Sequence, residues 1–151
     1  MRRTDREITD TAEMEAIIGR SKICHLAMAD GHQPYVVPLS FGYRAKTVYF
    51  HSAGSGKKIE MLKRNSRVCL SFVGDHRVAP AEQACDWGYS FESIIVFGTA
   101  TLVSDPDEKR RALDVIMTHH GAEGPFDYPV SNLKVTTVIR VDIEEMTGKR
   151  K

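Results

Sequence analysis

The chain has 151 residues, a length that one hydrophobic core can serve, with 42% hydrophobic and 27% charged residues, the balance of an ordinary globular protein. Its 21 Lys and Arg against 20 Asp and Glu leave a formal charge of +1, which gives no electrostatic case for nucleic acid or an anionic membrane surface. No apolar run nears the roughly 18 residues of a membrane span, and no apolar segment follows the basic start MRRTDREITD as a secretory signal would require.

Cys24, Cys69 and Cys85 are odd in number and widely spaced, which fits a reducing cytoplasm better than a disulfide framework. There is no CxxC or HExxH, and His119 and His120 are adjacent, so on a helix they diverge by about 100°. No metal site is expected. The whole chain, 1–151, reads as a single domain.

Residues 1–8 are polar and read as a loose arm. Asp10 with Glu13 forms a capping pair for a helix to about Gly19, with Met14, Ile17 and Ile18 as its buried stripe. Lys22 to Ala29 is a first strand, closed by the turn residues Asp30 and Gly31. Pro34 to Tyr43 is a second, and Pro38 in its middle cannot donate to a ladder, so this strand belongs at an edge or a bulge. Main-chain groups at Val37, Leu39 and Ser40 are then free, either on a plain edge or against a flat heterocycle.

Thr47 to His51 alternates as a third strand. Gly54, Ser55 and Gly56 make a tight turn, and a helix follows with Ile59 and Leu62 on one face. Lys57 and Lys58 sit in its first turn, where the positive end of the macrodipole favours carboxylates. With free N–H groups and the hydroxyls of Ser52 and Ser55 nearby, this placement makes sense for a bound anion such as phosphate, or else marks a solvated basic turn. The spacing is not that of a Walker P-loop.

Arg67 to Val73 alternates again, and Gly74 to Pro80 reads as a connection. Ala81 to Glu92 holds the only Trp, Trp87, beside Cys85, for which a wall role is expected because nothing is arranged to activate it. Ser93 to Ser104 is apolar on both faces, so one can fill a barrel while the other meets a helix or a second subunit. A helix then opens at Asp105 and Pro106, with Leu113, Ile116, Met117 and His120 on one face and Gly121 ending it. Gly121 to Asn132 is a long loop. Leu133 to Ile143 is the last strand, with Val135, Thr137, Ile139, Val141 and Ile143 on one face, and 148–151 reads as a frayed tail. Six strands joined mostly by short turns favour an antiparallel, nearly closed barrel: mainly β, with flanking helices.

The stretches PYVVPLSFGY (34–43), VYFHSAGSGKKIEML (48–62), CDWGYSFESIIVFGTA (85–100) and DPDEKRRALDVIM (105–117) resemble, in this order, the pyridoxamine 5′-phosphate oxidase-like flavin-binding proteins, and among them the 5-nitroimidazole-resistance branch. The similarity runs from about Asp5 to Lys149. It implies a six-stranded antiparallel FMN-binding split β-barrel that forms a homodimer with flavin at the subunit interface, FAD being the alternative nucleotide. On that resemblance, the backbone of Val37, Pro38, Leu39 and Ser40 runs along the flavin ring, and His51 and Ser52 lie beside it. Lys57 and Lys58, after Gly56, hold the phosphate. Trp87 and Ser93 approach from the second subunit. His51 also falls where this branch carries a histidine placed to act in nitro-group reduction.

Three departures narrow the implication. The oxidases of the family use an Arg-Lys pair for phosphate where this chain has Lys57-Lys58. Their arginine-rich carboxyl end is not apparent, and Phe91-Glu92 stands where some relatives have Tyr-Arg. Vitamin B6 oxidation is therefore not expected. The leading expectation is a flavin-dependent reductase of a small, electron-poor compound such as a nitroimidazole, with His51 as proton donor. A flavin-binding or sensing protein without turnover is the alternative, and a haem-binding relative with His25, His51 or His119 as axial ligand is a weaker one.

Overall fold

Period-two alternation builds eight strands, and all of them join one antiparallel sheet. The computed structural model describes residues 3–151. In chain order the strands are β1 (Glu7–Ile8), β2 (Ile23–Asp30), β3 (Gln33–Ser40), β4 (Gly42–Arg44), β5 (Thr47–Ala53), β6 (Arg67–Ala79), β7 (Gly88–Val103) and β8 (Thr136–Arg150). Across the sheet they run β3-β2-β6-β7-β8-β5-β4, with β1 also paired to β8. Ser40 ends β3 and Gly42 begins β4, yet these strands lie at opposite edges. The sheet must therefore curl until its edges are one residue apart, and it stays unpaired there: a split barrel. Phe41, fully buried, fills the split and meets Phe72 edge-on at 5.0 Å.

The count of eight against the expected six has two causes. The segment Pro34–Tyr43 is divided at Phe41, and the stretch read as a loose arm supplies a strand. Met1 and Arg2 lie outside the described residues, but Thr4–Arg6 form a 3-10 turn and Glu7–Ile8 pair with Lys149 and Gly148. The tail is not frayed either, because β8 runs to Arg150 and Lys151 exchanges both backbone hydrogen bonds with Phe91. Gly148 lets this crossing close: a Cβ there would come within 2.8 Å of Ile8 and 2.9 Å of Met14.

Helix α1 (Thr11–Arg20) is capped by Asp10, whose carboxylate accepts from the Ala12 N–H, and it buries Met14, Ile17 and Ile18 as expected. Glu13 does not complete a reciprocal box and pairs with Arg150 instead. Helix α2 (Lys57–Arg64) follows β5, and α3 (Pro106–His119) begins with Asp105 accepting from the Glu108 N–H at 2.8 Å. The buried stripe of α3 is Ala112 and Ile116, whereas Met117 is exposed and His120 is the C-cap, a correction to the expected face.

Two boundaries also move. Strand β6 does not stop at Val73; a register shift between Val73 and His76 carries it on to Ala79, so the expected connection is mostly strand. Leu133 to Val135 finish a short helix, α4 (Val130–Val135), and β8 starts at Thr136. Val135 is accordingly off the strand face and 72% exposed. On β8, Ile139 and Val141 enter the barrel core, while Val138 faces the other way and is buried with Val103 and Ala112 under α3. The sheet is thus covered on both faces at Val103 and Val138, whereas Phe97, on the outer face of the doubly apolar run 93–104, is left exposed.

The barrel is filled by Phe41, Phe50, Phe72, Leu26, Leu70 and Ile94, all fully buried, each worth about 1.5–3 kcal/mol for leaving water. Gly98 sits at the bulge between β7 and β8, where an added Cβ would overlap the Asp142 carbonyl oxygen. Gly98→Ala is expected to lower the urea midpoint, at a cost of about 1–3 kcal/mol. Gly19→Ala, in a helix with open space around the new methyl, should raise the midpoint, with a gain in stability of up to about 1 kcal/mol.

Candidate functional site

The site is built at the start of α2. Gly56, its N-cap, has φ +123°, a conformation that L side chains rarely adopt, and it offers no side-chain cap. The N–H groups of Lys57, Lys58 and Ile59 precede the first intrahelical bond, Glu60 N–H to the Gly56 carbonyl at 3.1 Å, and are left open. The other end is anchored. Ile59, Met61 and Leu62 are buried, Arg64 pairs with Asp30 of β2, and Asn65 donates to the Ala29 carbonyl at 3.0 Å. The helix therefore stands fixed on the barrel and directs its positive pole outward.

Two ammonium groups reinforce that pole instead of neutralising it. Lys57 Nζ lies 4.5 Å from the centre of the Tyr35 ring, which joins the α2 start to β3. Lys58 is half-buried, and burial lowers its proton affinity. Neither lysine has a carboxylate partner among the described residues. Two cations and three open N–H groups are the kind of donor set, a cradle, that could hold an oxyanion, and their chemistry fits a phosphate group.

Strand β3 is an edge strand, as Pro38 demanded; it pairs only with β2, with Pro38 opposite His25. Its outer edge carries unpaired main-chain groups beside the cradle. Val37 and Leu39 turn their side chains to the core, while Pro38 is exposed. Tyr35 joins this group without any sequence signal: by period it is simply a core-facing strand residue. At the end of β5, alternation puts His51 and Ser52 on opposite faces. His51 is exposed on the face of Tyr49 and Val138, and Ser52 is half-buried on that of Phe50.

Trp87 and Ser93 do not meet the cradle of their own chain. Trp87 is 56% exposed at the β6–β7 hairpin, with its indole N–H donating to the Ala81 carbonyl at 2.8 Å. Ser93 is half-buried between Val73 and Lys149 in register, and β2 and β6 separate its strand from β3. Between them the outer sheet face carries an apolar row, Val36, Ala27, Cys69 and Phe97, paired across four strands. Val36 is 57% and Phe97 42% exposed. Burial pushes the Cys24 and Cys69 thiols up, and the exposed Cys85 has only the Gln83 side chain near its sulfur.

An antiparallel split barrel with a basic helix start beside a proline-broken edge strand is the class of protein that these elements define. The chain belongs to the pyridoxamine 5′-phosphate oxidase family, whose sequence profile matches residues 10–150. A candidate 5-nitroimidazole antibiotic resistance protein of Bacteroides thetaiotaomicron is 37% identical, with a TM-score of 0.85 over 95% of this chain and 86% of its own. The flavocytochrome Anf3 of Azotobacter vinelandii shares the fold at 22% identity and TM-score 0.82, over 100% of this chain and 72% of its own. The FAD and heme binding protein of Mycobacterium smegmatis does so at 16% and 0.87, over 97% and 73%. No curated protein matches significantly. Among the described residues, no three His, Cys, Asp or Glu side chains gather as a metal site, and no helix is long and apolar enough to cross a membrane.

Of the three histidines considered as ligands, His25 and His51 are exposed and His119 is committed. Its Nε2–H donates to the Ser21 carbonyl at 2.8 Å, and its ring packs 4.4 Å from Phe41. Burial holds this ring below the usual histidine value, against the bond to Ser21 and with help from His120 and Lys22. The unfolded chain therefore takes up a proton that the folded ring resists, so stability is level above about pH 6.5 and falls as pH drops below it. His119→Gln, which keeps a donor, should flatten that fall in urea midpoints between pH 7.5 and 5.5; an unchanged slope would place the acid sensitivity elsewhere.

Proposed function

We propose that this chain binds FMN by its phosphate at the start of α2 and serves as a flavin-dependent reductase of small electron-poor compounds such as nitroimidazoles. The observation that carries the proposal is the uncapped N-terminus of α2 with Lys57 and Lys58 in its first turn. That arrangement would oppose folding if nothing negative came to it, and a terminal phosphate, close to a dianion at neutral pH, matches two lysines. The resistance protein at 37% identity supports the choice of substrate class. FAD remains the alternative nucleotide, since solved relatives of the fold include FAD-binding proteins.

In this reading Lys57, Lys58 and the open N–H groups bind the phosphate, and Ser52 and Ser55 add hydroxyls. The unpaired edge of β3 along Val37, Pro38, Leu39 and Ser40 offers main-chain donors and acceptors to the flat ring. FMN, when bound, supplies the electron transfer. His51 presents an exposed imidazole at the end of β5 to a substrate that must be protonated as it is reduced. The cradle on one chain is an open shelf, so a homodimer would complete it: the apolar row of the outer sheet face gives such an interface its core, and Trp87 and Ser93 of each protomer reach the other's shelf. Three free cysteines suit work in a reducing cytoplasm.

A binding or sensing protein without turnover is the second reading. It is favoured by one observation: no side chain hydrogen-bonds His51 to fix its orientation among the described residues, whereas acid–base residues are usually held.

An anaerobic titration with NADH, NADPH or dithionite, followed by a nitroimidazole, separates the two. For a reductase, absorbance near about 450 nm bleaches with a nicotinamide donor and recovers on adding the nitro compound, and His51→Ala slows the recovery about 10²-fold. Bleaching by dithionite alone, with no recovery, would leave a binder. Light scattering of the flavin-loaded protein should give twice the mass of the 16.9 kDa chain; a flavin-loaded monomer would contradict the shared site.

A further inference from the structure

An ammonium group at a positive helix end is ordinarily drawn to a carboxylate, yet Lys57 is not. Glu60, the acid of α2 itself, pairs with Lys63 at 3.2 Å, and Asp30, at the end of β2, pairs with Arg64. Lys57 meets an aromatic ring instead: its Nζ lies 4.5 Å from the centre of Tyr35. We infer that Tyr35 is a positioning residue of the phosphate site, its ring holding the Lys57 ammonium where a phosphate ester would take it. The inference rests on the reading of α2 as the place where the flavin phosphate binds.

The choice of a ring over an acid has a chemical consequence. A carboxylate would cancel the lysine charge and occupy its donors. The face of a tyrosine attracts the cation through its quadrupole and leaves the charge intact, with the N–H donors open to an oxyanion. Lys57 is exposed, and an exposed lysine otherwise samples many rotamers that a ligand must freeze on binding. The ring narrows that range in advance. Lys58 has no such need, because it is already half-buried.

Tyr35 can do this because it is itself held. It stands opposite the buried Met28 in the β2–β3 ladder, and its half-buried ring packs against the barrel core. The far end of α2 is tied to the same hairpin, Asn65 to the Ala29 carbonyl and Arg64 to Asp30. The helix is thus registered against β2 and β3 at both ends, and only the contact at its start involves a group that a ligand would touch.

The test measures FMN and riboflavin affinities by flavin fluorescence in variants at position 35. The preference for FMN over riboflavin is expected to fall about threefold in Tyr35→Leu and to hold in Tyr35→Phe. It should also fall in Tyr35→pentafluorophenylalanine, which keeps the shape of the ring but reverses its quadrupole, so that loss of packing is not the cause. In a Lys57→Ala background, Tyr35→Leu should change the preference no further, because the two residues act as a unit. A preference that the fluorinated variant leaves intact, or that Tyr35→Leu lowers equally when Lys57 is gone, would overturn the inference and leave the phosphate site standing. Equal affinities for FMN and riboflavin in the wild type would overturn the site and, with it, the role of Tyr35.

Discussion

Strand β8 is held on both sides along most of its length, and the rest of the fold depends on this. One side of it takes β5 from Ala53 to Thr47 and then, after the chain has passed Glu144, takes β1 at Gly148 and Lys149. The other side takes β7 from Val103 to Glu92. The two long ladders cannot stay in step on a twisted sheet, and the extra residue at Glu144 absorbs the difference where Gly98 lets the strands approach. Glu144 is then drawn outward to the Thr99 hydroxyl and Arg67, whose hydrogen bonds hold its carboxyl below the usual range. With β8 fixed, β5 is fixed, and so is the turn that launches α2.

The candidate site exists because the barrel does not close. Had β3 met β4, the main-chain groups of its outer edge would be spent on a ladder. Pro34 and Pro38 hinder that pairing, and Phe41 fills the split with hydrocarbon instead of hydrogen bonds. The open edge then lies next to an uncapped helix start, and the Lys57–Tyr35 contact is the seam between them. Two positive side chains at a positive helix end are an electrostatic cost to the empty protein. Arg64 and Asn65 keep the helix in place without relief from that cost, and a bound phosphate would turn it into affinity.

Much of this could be read from residues in sequence. The cap and proline at Asp105 and Pro106, the stripe Met14, Ile17 and Ile18, the edge position of Pro38 and the lysine pair after Gly56 are all local signals, and each stood where expected. The features that escaped are non-local. Nothing in residues 1–8 announces that Ile8 will be buried against Gly148, and nothing in the basic tail announces a strand, because the arm is ordered by the tail and the tail by β7. Strand β6 disguises itself at the bulge, where alternation breaks, and Val135 at the end of α4 reads as strand because β-branched residues favour strands on average. Tyr35 gave no sign of its lysine. His51 and Ser52 are placed beside a flavin by the resemblance alone, and their opposite faces follow only from the sheet.

The measurement closest to the central claim compares FMN with riboflavin, which differs by the phosphate alone, in equilibrium titrations of the wild type and of Lys57→Ala/Lys58→Ala. The account requires FMN to bind the wild type at least about 10²-fold tighter than riboflavin, and the gap to close in the double variant while riboflavin affinity holds. Equal affinities in the wild type, or a gap that survives loss of both lysines, would contradict a phosphate cradle at the start of α2.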